Sequence, residues 1–265
     1  MYSKFQLIKK YIAWYVKGSN SKGHGVHSPF VFDLITKVLN DDRQYYCYED
    51  IEKLRQLLKQ DSTVLAIEDL GAGSRVASSH QRKISFIARS SLKPAKFGQL
   101  FFRMVNYYQP KNIIELGTSL GITAAYMASA RPDANVVTME GAKQVAVAAK
   151  NNFKALGLTN IRLVEGNFDD TLPKVLKNIS VVDLAFVDGN HRKEPTLQYF
   201  SQLLEKANEH SVFIFDDIHW SEEMEQAWEA IRADEHVTLT VDLFFIGLVF
   251  FRKEQKAKQH FTVRF

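Results

Sequence analysis

The chain has 265 residues, enough for one large domain or a domain with an appendage. Its 46% hydrophobic and 24% charged residues fit a globular protein with a substantial core. No run approaches the roughly 18 uninterrupted apolar residues of a membrane span, so no membrane partner is expected. A net charge of +4 is too small to argue for nucleic acid by itself, and the single Cys47 excludes an internal disulfide and suits a reducing, cytoplasmic setting.

The chain opens with MYSKFQLIKKYIAWYVKGS, amphipathic and charged throughout and therefore a poor signal peptide. Up to about residue 62, apolar positions recur at helical spacing: Phe5, Ile8, Ile12 and Tyr15, then Ile51, Leu54, Leu57 and Leu58. Between them, GHGVHSPFVFDLI is a glycine- and proline-punctuated turn leading into another short helix. Residues 69–91 are rich in Ser, Gly and Arg and read as a loop with at most one helical turn. From Leu70 to Ile114 there are eight Lys or Arg and no Asp or Glu. That run is either a solvated basic face or a mobile cover that attracts an anionic substrate or partner. Residues 1–91 thus form a helical extension with a basic Ser/Gly-rich cover segment, distinct in texture from a main domain over 92–252 and a tail over 253–265.

From about Pro94 strands and helices alternate. IIELG (Ile113 to Gly117), VVTME (Val136 to Glu140), IRLVEG, SVVDLAFVDG and SVFIFDD are apolar strands. GITAAYMASA, Ala142 to Leu156, Glu194 to Ala207 and Glu222 to Ala233 are helices. Apolar strands separated by helices of this length imply a parallel sheet covered on both faces. The ending, VTLTVDLFFIGLVFFR, holds two β-rich runs with Ile246-Gly247 between them and no room for a helix, so they form an antiparallel hairpin. The expected fold is α/β: a Rossmann-like sheet of five parallel strands closed by an antiparallel C-terminal hairpin, the class I methyltransferase pattern, with an N-terminal helical extension.

In such a sheet ligands sit beyond the carboxyl ends of the strands. The loop after the first strand is E-L-G-T-S-L-G (Glu115 to Gly121), where Gly117 permits a tight turn close to a ligand and Gly121 opens the next helix. Glu140 ends the second strand, 23 residues after Gly117, where an acid accepts hydrogen bonds from ribose hydroxyls. Dinucleotide binders need G-x-G-x-x-G, and here the middle position is Ser119, which favours S-adenosylmethionine over NAD. Asp69-Leu70-Gly71-Ala72-Gly73-Ser74 resembles such a loop more closely. However, no good helix and no second strand with a terminal acid follow it, and it reads as a turn outside the sheet.

At this point KFGQLFFRMVNYYQPKNIIELGTSLGIT resembles the entrance of catechol O-methyltransferase-type enzymes, with a G-Q pair (Gly98-Gln99) ahead of a helix and the E-L-G strand. The likeness continues through VVTMEGAKQVAVAAKNNFKALGLTNIRLVEGNFDDTLPKV, AFVDGNH and FIFDDIHW, about 160 residues in all. The resemblance implies that Glu115, Gly117, Ser119 and Thr123, with Thr118 and Gly121 in the same loop, line the methionine end of S-adenosylmethionine. It implies that Ser91 and Lys93 close over it, that Glu140, followed by Gly141, holds the ribose, and that Gly166, Asn167 and Phe168 border the adenine. Asp188 would face the cofactor's ammonium group. The acceptor is expected to be a small hydroxylated molecule. Enzymes of this shape often pair, so a homodimer is a further expectation.

Asp188 ends the fourth strand, and Asp216 and Asp217 end the fifth. Neighbouring strand ends bring such carboxylates within reach of one cation, and oxygen-only ligands favour Mg²⁺ or Ca²⁺. The resembling family holds magnesium with two Asp and one Asn, so Asp217 departs from the pattern; the alternative is that Asp216 or Asp217 caps the next helix. His191 stands three positions past Asp188, where the resembling enzymes often carry a lysine that deprotonates the substrate, and imidazole is a suitable general base. His219 and Trp220 could line the acceptor site; His24 and His27 could fold over it. Trp14, Tyr45, Tyr46 and Tyr48 are read as core before pocket. Competing readings are an NAD-linked oxidoreductase, which would need a third glycine and a sixth parallel strand, and a methyltransferase-shaped binding protein that contacts an anionic partner through its basic segment.

Overall fold

The computed structural model describes residues 1–18, 22–23, 26–67 and 81–265. His24, the Asp69–Ser74 turn and most of the Ser/Arg loop therefore lie outside the described residues. The chain divides into two units, one made of residues 1–41 with 178–265 and the other of residues 42–177.

The first unit begins with α1 (Lys4–Lys17), which starts at a capping box: the Ser3 hydroxyl accepts from the Gln6 N–H and the Gln6 amide oxygen accepts from the Ser3 N–H. Trp14 is the buried residue of this helix. The short α2 (Pro29–Asp33) has proline at a position that needs no N–H donor, and Ser28 caps it. It runs into a π-helical turn, Leu34–Leu39, whose apolar side chains are buried.

The second unit starts with α3 (Tyr48–Leu58), then a small antiparallel pair, β1 (Val64–Ala66) and β2 (Gln81–Lys83). Helices α4 (Ile84–Ser90) and α5 (Ala95–Tyr108) follow. The stretch read as loop with one helical turn therefore ends in a seven-residue helix, because Ile84, Ile87 and Ala88 recur at helical spacing and are buried. Gly98-Gln99 lies inside α5, and a Cβ on Gly98 would meet the Tyr126 ring at 2.5 Å, so this glycine serves close helix packing. Next come β3 (Asn112–Leu116), α6 (Ile122–Ala130), β4 (Asn135–Glu140), α7 (Lys143–Ala155), β5 (Ile161–Glu165) and α8 (Phe168–Leu176). β3, β4 and β5 pair in parallel in that order. Tyr45 and Tyr48 pack on Phe102, with ring centroids 4.6 and 5.2 Å away, as core residues do. Tyr46 departs from that expectation: it is exposed and its hydroxyl donates to the Ser129 carbonyl.

The first unit resumes with β6 (Leu184–Val187), α9 (Lys193–Leu204), β7 (Val212–Asp216), α10 (Glu222–Ala233), β8 (Leu239–Asp242), β9 (Ile246–Phe250) and β10 (Gln259–Thr262). β6 and β7 are parallel; β9 runs antiparallel to both β7 and β8. β7 thus has an antiparallel strand as its next neighbour, as the hairpin expectation requires and a six-stranded dinucleotide fold does not. The hairpin turns at Leu243–Phe245, not at Ile246-Gly247. Phe244 adopts φ 68°, held by its N–H donating to the Asp242 carboxylate at 2.7 Å. Gly247 lies within β9, where a Cβ would meet the Trp228 indole at 2.5 Å. Residues 259–262, read as tail, add a parallel strand beside β8.

Candidate active site

In the second unit the turn after β3 is organised from below by Glu115. Its side chain is fully buried and accepts from the Thr138 hydroxyl at 2.5 Å, and the Thr118 hydroxyl lies 2.5 Å from that of Thr138. Glu115 therefore supports the loop from within the sheet. The N–H groups of Gly117 and Thr118 both donate to the Met139 carbonyl, tying the turn to β4. Gly117 has φ 102° and Ser119 φ 49°. Gly121 has φ 81°, and a Cβ there would come within 2.4 Å of the Phe153 ring, so only glycine opens α6 at this place.

Glu140 closes the same corner. One of its oxygens accepts the Ser119 N–H at 2.8 Å and the other the Ala142 N–H at 2.9 Å. Each oxygen keeps a lone pair, so the carboxylate is aligned and can still accept two hydroxyl donors. Burial raises its pKa, and the N–H groups of Ala142, Ser119 and Gly141 offset only part of that rise. Gly166, at φ 131°, donates its N–H to the Glu140 carbonyl and brings the end of β5 beside that of β4. Asn167 caps α8 by accepting the Asp169 N–H at 3.2 Å, and half-buried Phe168 begins that helix. Thr123 sits half-buried in the first turn of α6. Ser91 and Lys93 lie in the α4–α5 connection, bound to the Ile87 carbonyl and the Arg55 guanidinium respectively.

In the first unit, β6 and β7 pair with Val187 opposite Phe215, which sets Asp188 and Asp216 side by side at the strand ends. Asn190 and His191 have φ 64° and 30°, and this left-handed pair folds the loop back. The His191 Nε2 lies 3.5 Å from an Asp188 oxygen. One ligand atom from each of Asp188, His191 and Asp216 lies within 4.8 Å of the others. Of the expected trio, Asp188 and Asp216 come together with His191, and Asp217 is not part of that group. Asp217 has φ 53° and its N–H donates to the Phe245 carbonyl, so the consecutive aspartates diverge. Neither aspartate caps α10; Ser221 does, accepting the Met224 N–H.

Asp217 instead lines a cavity of about 330 Å³ together with His219 and Trp220. Leu7, Ile8 and Tyr11 of α1 form a second wall and Phe244 and Phe245 a third. α1 is fastened there by polar contacts. The Tyr2 hydroxyl donates to Glu225, Lys10 pairs with Glu225 at 2.8 Å, and the Trp14 indole donates to Asp242 at 2.8 Å. His219 bridges the same two acids. The N-terminal helices are expected from the sequence to belong to the acceptor side, since they lie outside the cofactor sheet, whereas Phe244 and Phe245 escaped the sequence reading. The visible signal was an apolar pair, Phe244-Phe245, at a hairpin turn where polar residues are usual.

Residues 114–218 match a family model described as a methyltransferase domain. The chain is 29% identical over 163 residues to a catechol O-methyltransferase of Niastella koreensis, covering 59% of this chain and 70% of that protein. Among solved structures, an SAH-bound methyltransferase of Podospora anserina superposes with a TM-score of 0.59 at 14% identity, over 85% of this chain and 97% of that one. An O-methyltransferase of Bacillus cereus in complex with SAH gives 0.54 at 18% identity, over 80% and 93%. Those two likenesses carry the fold. With the domain match and the curated relative they lead to one conclusion: the chain carries a methyltransferase domain over residues 114–218 and is similar to O-methyltransferases of the catechol O-methyltransferase type.

Proposed function

We propose that the enzyme methylates a hydroxyl oxygen of a small, largely apolar molecule, assisted by a divalent cation. The observation that carries this reading is the convergence of Asp188, His191 and Asp216 at adjoining strand ends, with an apolar cavity beginning at the next residue, Asp217.

Glu140 suits the ribose, because its carboxylate is fixed by two backbone N–H groups and retains acceptor capacity. The turn from Gly117 to Gly121, with Thr118, Ser119 and Thr123, is assigned to the methionine end, and Gly141, Gly166, Asn167 and Phe168 to the adenosine. Ser91 and Lys93 are assigned to the cover of the cofactor site. The Asp188 and Asp216 carboxylates at adjoining strand ends lie within reach of one small cation, and such oxygen donors suit Mg²⁺ or Ca²⁺. When bound, the cation would lower the pKa of an acceptor hydroxyl.

His191, half-exposed beside Asp188, takes the hydroxyl proton on Nε2 as the oxygen attacks the methyl carbon. S-adenosylmethionine, when bound, would supply the methyl group, the new carbon–oxygen bond replacing the carbon–sulfur bond and a neutral thioether leaving. The protein's contribution is alignment and exclusion of water. The apolar walls of the cavity, Leu7, Tyr11, Trp220 and Phe244, favour an aromatic or otherwise apolar acceptor.

The test is methyl transfer from labelled S-adenosylmethionine to a panel of phenols, catechols and aliphatic alcohols, with EDTA and with added Mg²⁺. Activity that needs Mg²⁺ and is lost in Asp216→Asn supports the reading. Equal turnover in EDTA removes the cation from it.

A further inference from the structure

α1 presents an unusual outer surface. Phe5, Ile8, Ile12, Tyr15 and Val16 are 66%, 57%, 56%, 47% and 72% exposed. At 3.6 residues per turn these five side chains share one sector about 100° wide, roughly opposite Trp14. Lys4 and Lys9 fall on its two borders, and the Lys9 ammonium lies 4.7 Å from the Phe5 ring centroid. Arg264 adds a further cation, 4.3 Å from the Tyr15 ring and donating to the Tyr15 carbonyl. The helix contains no Asp or Glu, and the first acid in the chain is Asp33. Apolar side chains held in water in this way gain free energy on transfer to an apolar phase.

We propose that this face docks on an anionic lipid surface. An apolar stripe bordered by lysines on a convex helix is the form that lies in the plane of a membrane interface. The ammonium groups meet lipid phosphates while Phe5, Ile12 and Val16 enter the acyl boundary, and their lysine stems lie along the apolar surface. A second copy suits the face less well. Pairing α1 with itself brings Lys4 and Lys9 against other lysines, with no acid on the helix to relieve them. The opposite side of α1 is occupied, by Lys10 on Glu225 and Trp14 on Asp242, so the outer stripe can engage lipid while the helix stays attached. No described helix is long and apolar enough to cross a membrane, so the contact is peripheral.

The experiment is co-sedimentation of the full chain with phosphatidylcholine–phosphatidylglycerol vesicles at low salt, against vesicles of phosphatidylcholine alone. Retention on the anionic vesicles is expected, with loss of retention in the double variant Ile12→Glu, Val16→Glu, neither of which lines the cavity. The double variant Lys4→Gln, Lys9→Gln should weaken partitioning about thirty-fold. Both variants change exposed side chains, and circular dichroism melts verify that they remain folded. Absence of wild-type retention overturns the proposal, as does equal retention on both vesicle types. Sedimentation velocity supplies the third outcome: a dimer dispersed by Ile12→Glu, with no vesicle binding, assigns the face to a second copy and also overturns it.

Discussion

His219 and Asp242 meet at 2.8 Å, Nε2 to Oδ2, while the other nitrogen of the same imidazole lies 3.0 Å from Glu225. Asp242 also accepts the Trp14 indole and the Phe244 N–H, and Glu225 also holds Tyr2 and Lys10. One histidine thus joins the two acids that fasten α1 and shape the β8–β9 turn.

Removing it leaves two carboxylates without their common cation. His219→Ala should lower stability by about 2 kcal/mol, less than for a fully buried pair because all three groups retain some solvent contact. The pH dependence has a defined sign. Burial alone would depress the His219 pKa, but hydrogen bonds and charge from Asp242 and Glu225 raise it above its ordinary value. Its contribution is therefore complete below about pH 6.5 and fades as pH rises through the raised folded value. Burial would raise Glu225, yet Lys10, Tyr2 and His219 hold it below the ordinary carboxylate range, so its contribution is present above about pH 4.3 and fades on acidification. Thermal melts of wild type and His219→Ala should differ most between those limits. A difference that grows above neutrality contradicts the assignment.

Glu140→Ala should weaken S-adenosylmethionine binding by about a hundredfold in calorimetry, the loss of two charge-assisted hydrogen bonds. Because burial raises the Glu140 pKa, affinity should also begin to fall on acidification at a pH above the ordinary carboxylate range. Unchanged affinity in the variant would move the ribose elsewhere.

His191→Ala should reduce kcat by about 10²–10⁴ while leaving cofactor affinity nearly intact, as expected for a general base. Titration with Mn²⁺ separates the alternatives at this position. Metal affinity that survives the substitution agrees with the proton-acceptor role, and loss of metal affinity makes His191 a ligand.

Gly247→Ala places a methyl group 2.5 Å from the Trp228 indole inside β9. Trp228 is fully buried and cannot swing aside, so the cost should be about 1–3 kcal/mol of overpacking, visible as a lower unfolding midpoint.

Tyr11→Ala and Phe245→Ala, on the cavity wall, should raise KM for the acceptor with little change in cofactor affinity. An acceptor KM that does not move in either variant places the substrate elsewhere.

The parallel strands were readable because their environment is written in composition. β6 and β7 are buried along their whole length and appear as continuous apolar runs, which helices of ordinary period then separate. Gly117, Gly121 and Glu140 were readable for a related reason: a tight turn and a strand end each demand a residue type. What failed depended on backbone direction or on distant contacts. Asp217 is adjacent to Asp216 in sequence, yet a left-handed φ sends it to the cavity wall, and the two left-handed residues Asn190 and His191 bring an imidazole beside Asp188 and Asp216. Gly247 resembled a turn residue because glycine signals both turns and close packing, and only the Trp228 contact separates the two. β10 is short, polar and half-exposed, so no apolar run announced it. The partnership of α1 with His219, Phe244 and Phe245 links residues more than 200 positions apart, which no local period encodes.

The walls of the cavity come from α1, the segment after β7 and the β8–β9 turn, whereas the turn from Gly117 to Gly121 and Glu140 belong to the other unit. Selection can thus act on the two sets of residues with little cross-talk. If the cavity holds the acceptor as proposed, exchanging a few side chains at positions 7, 11, 244 and 245 would change what it admits and leave the residues of the other unit untouched.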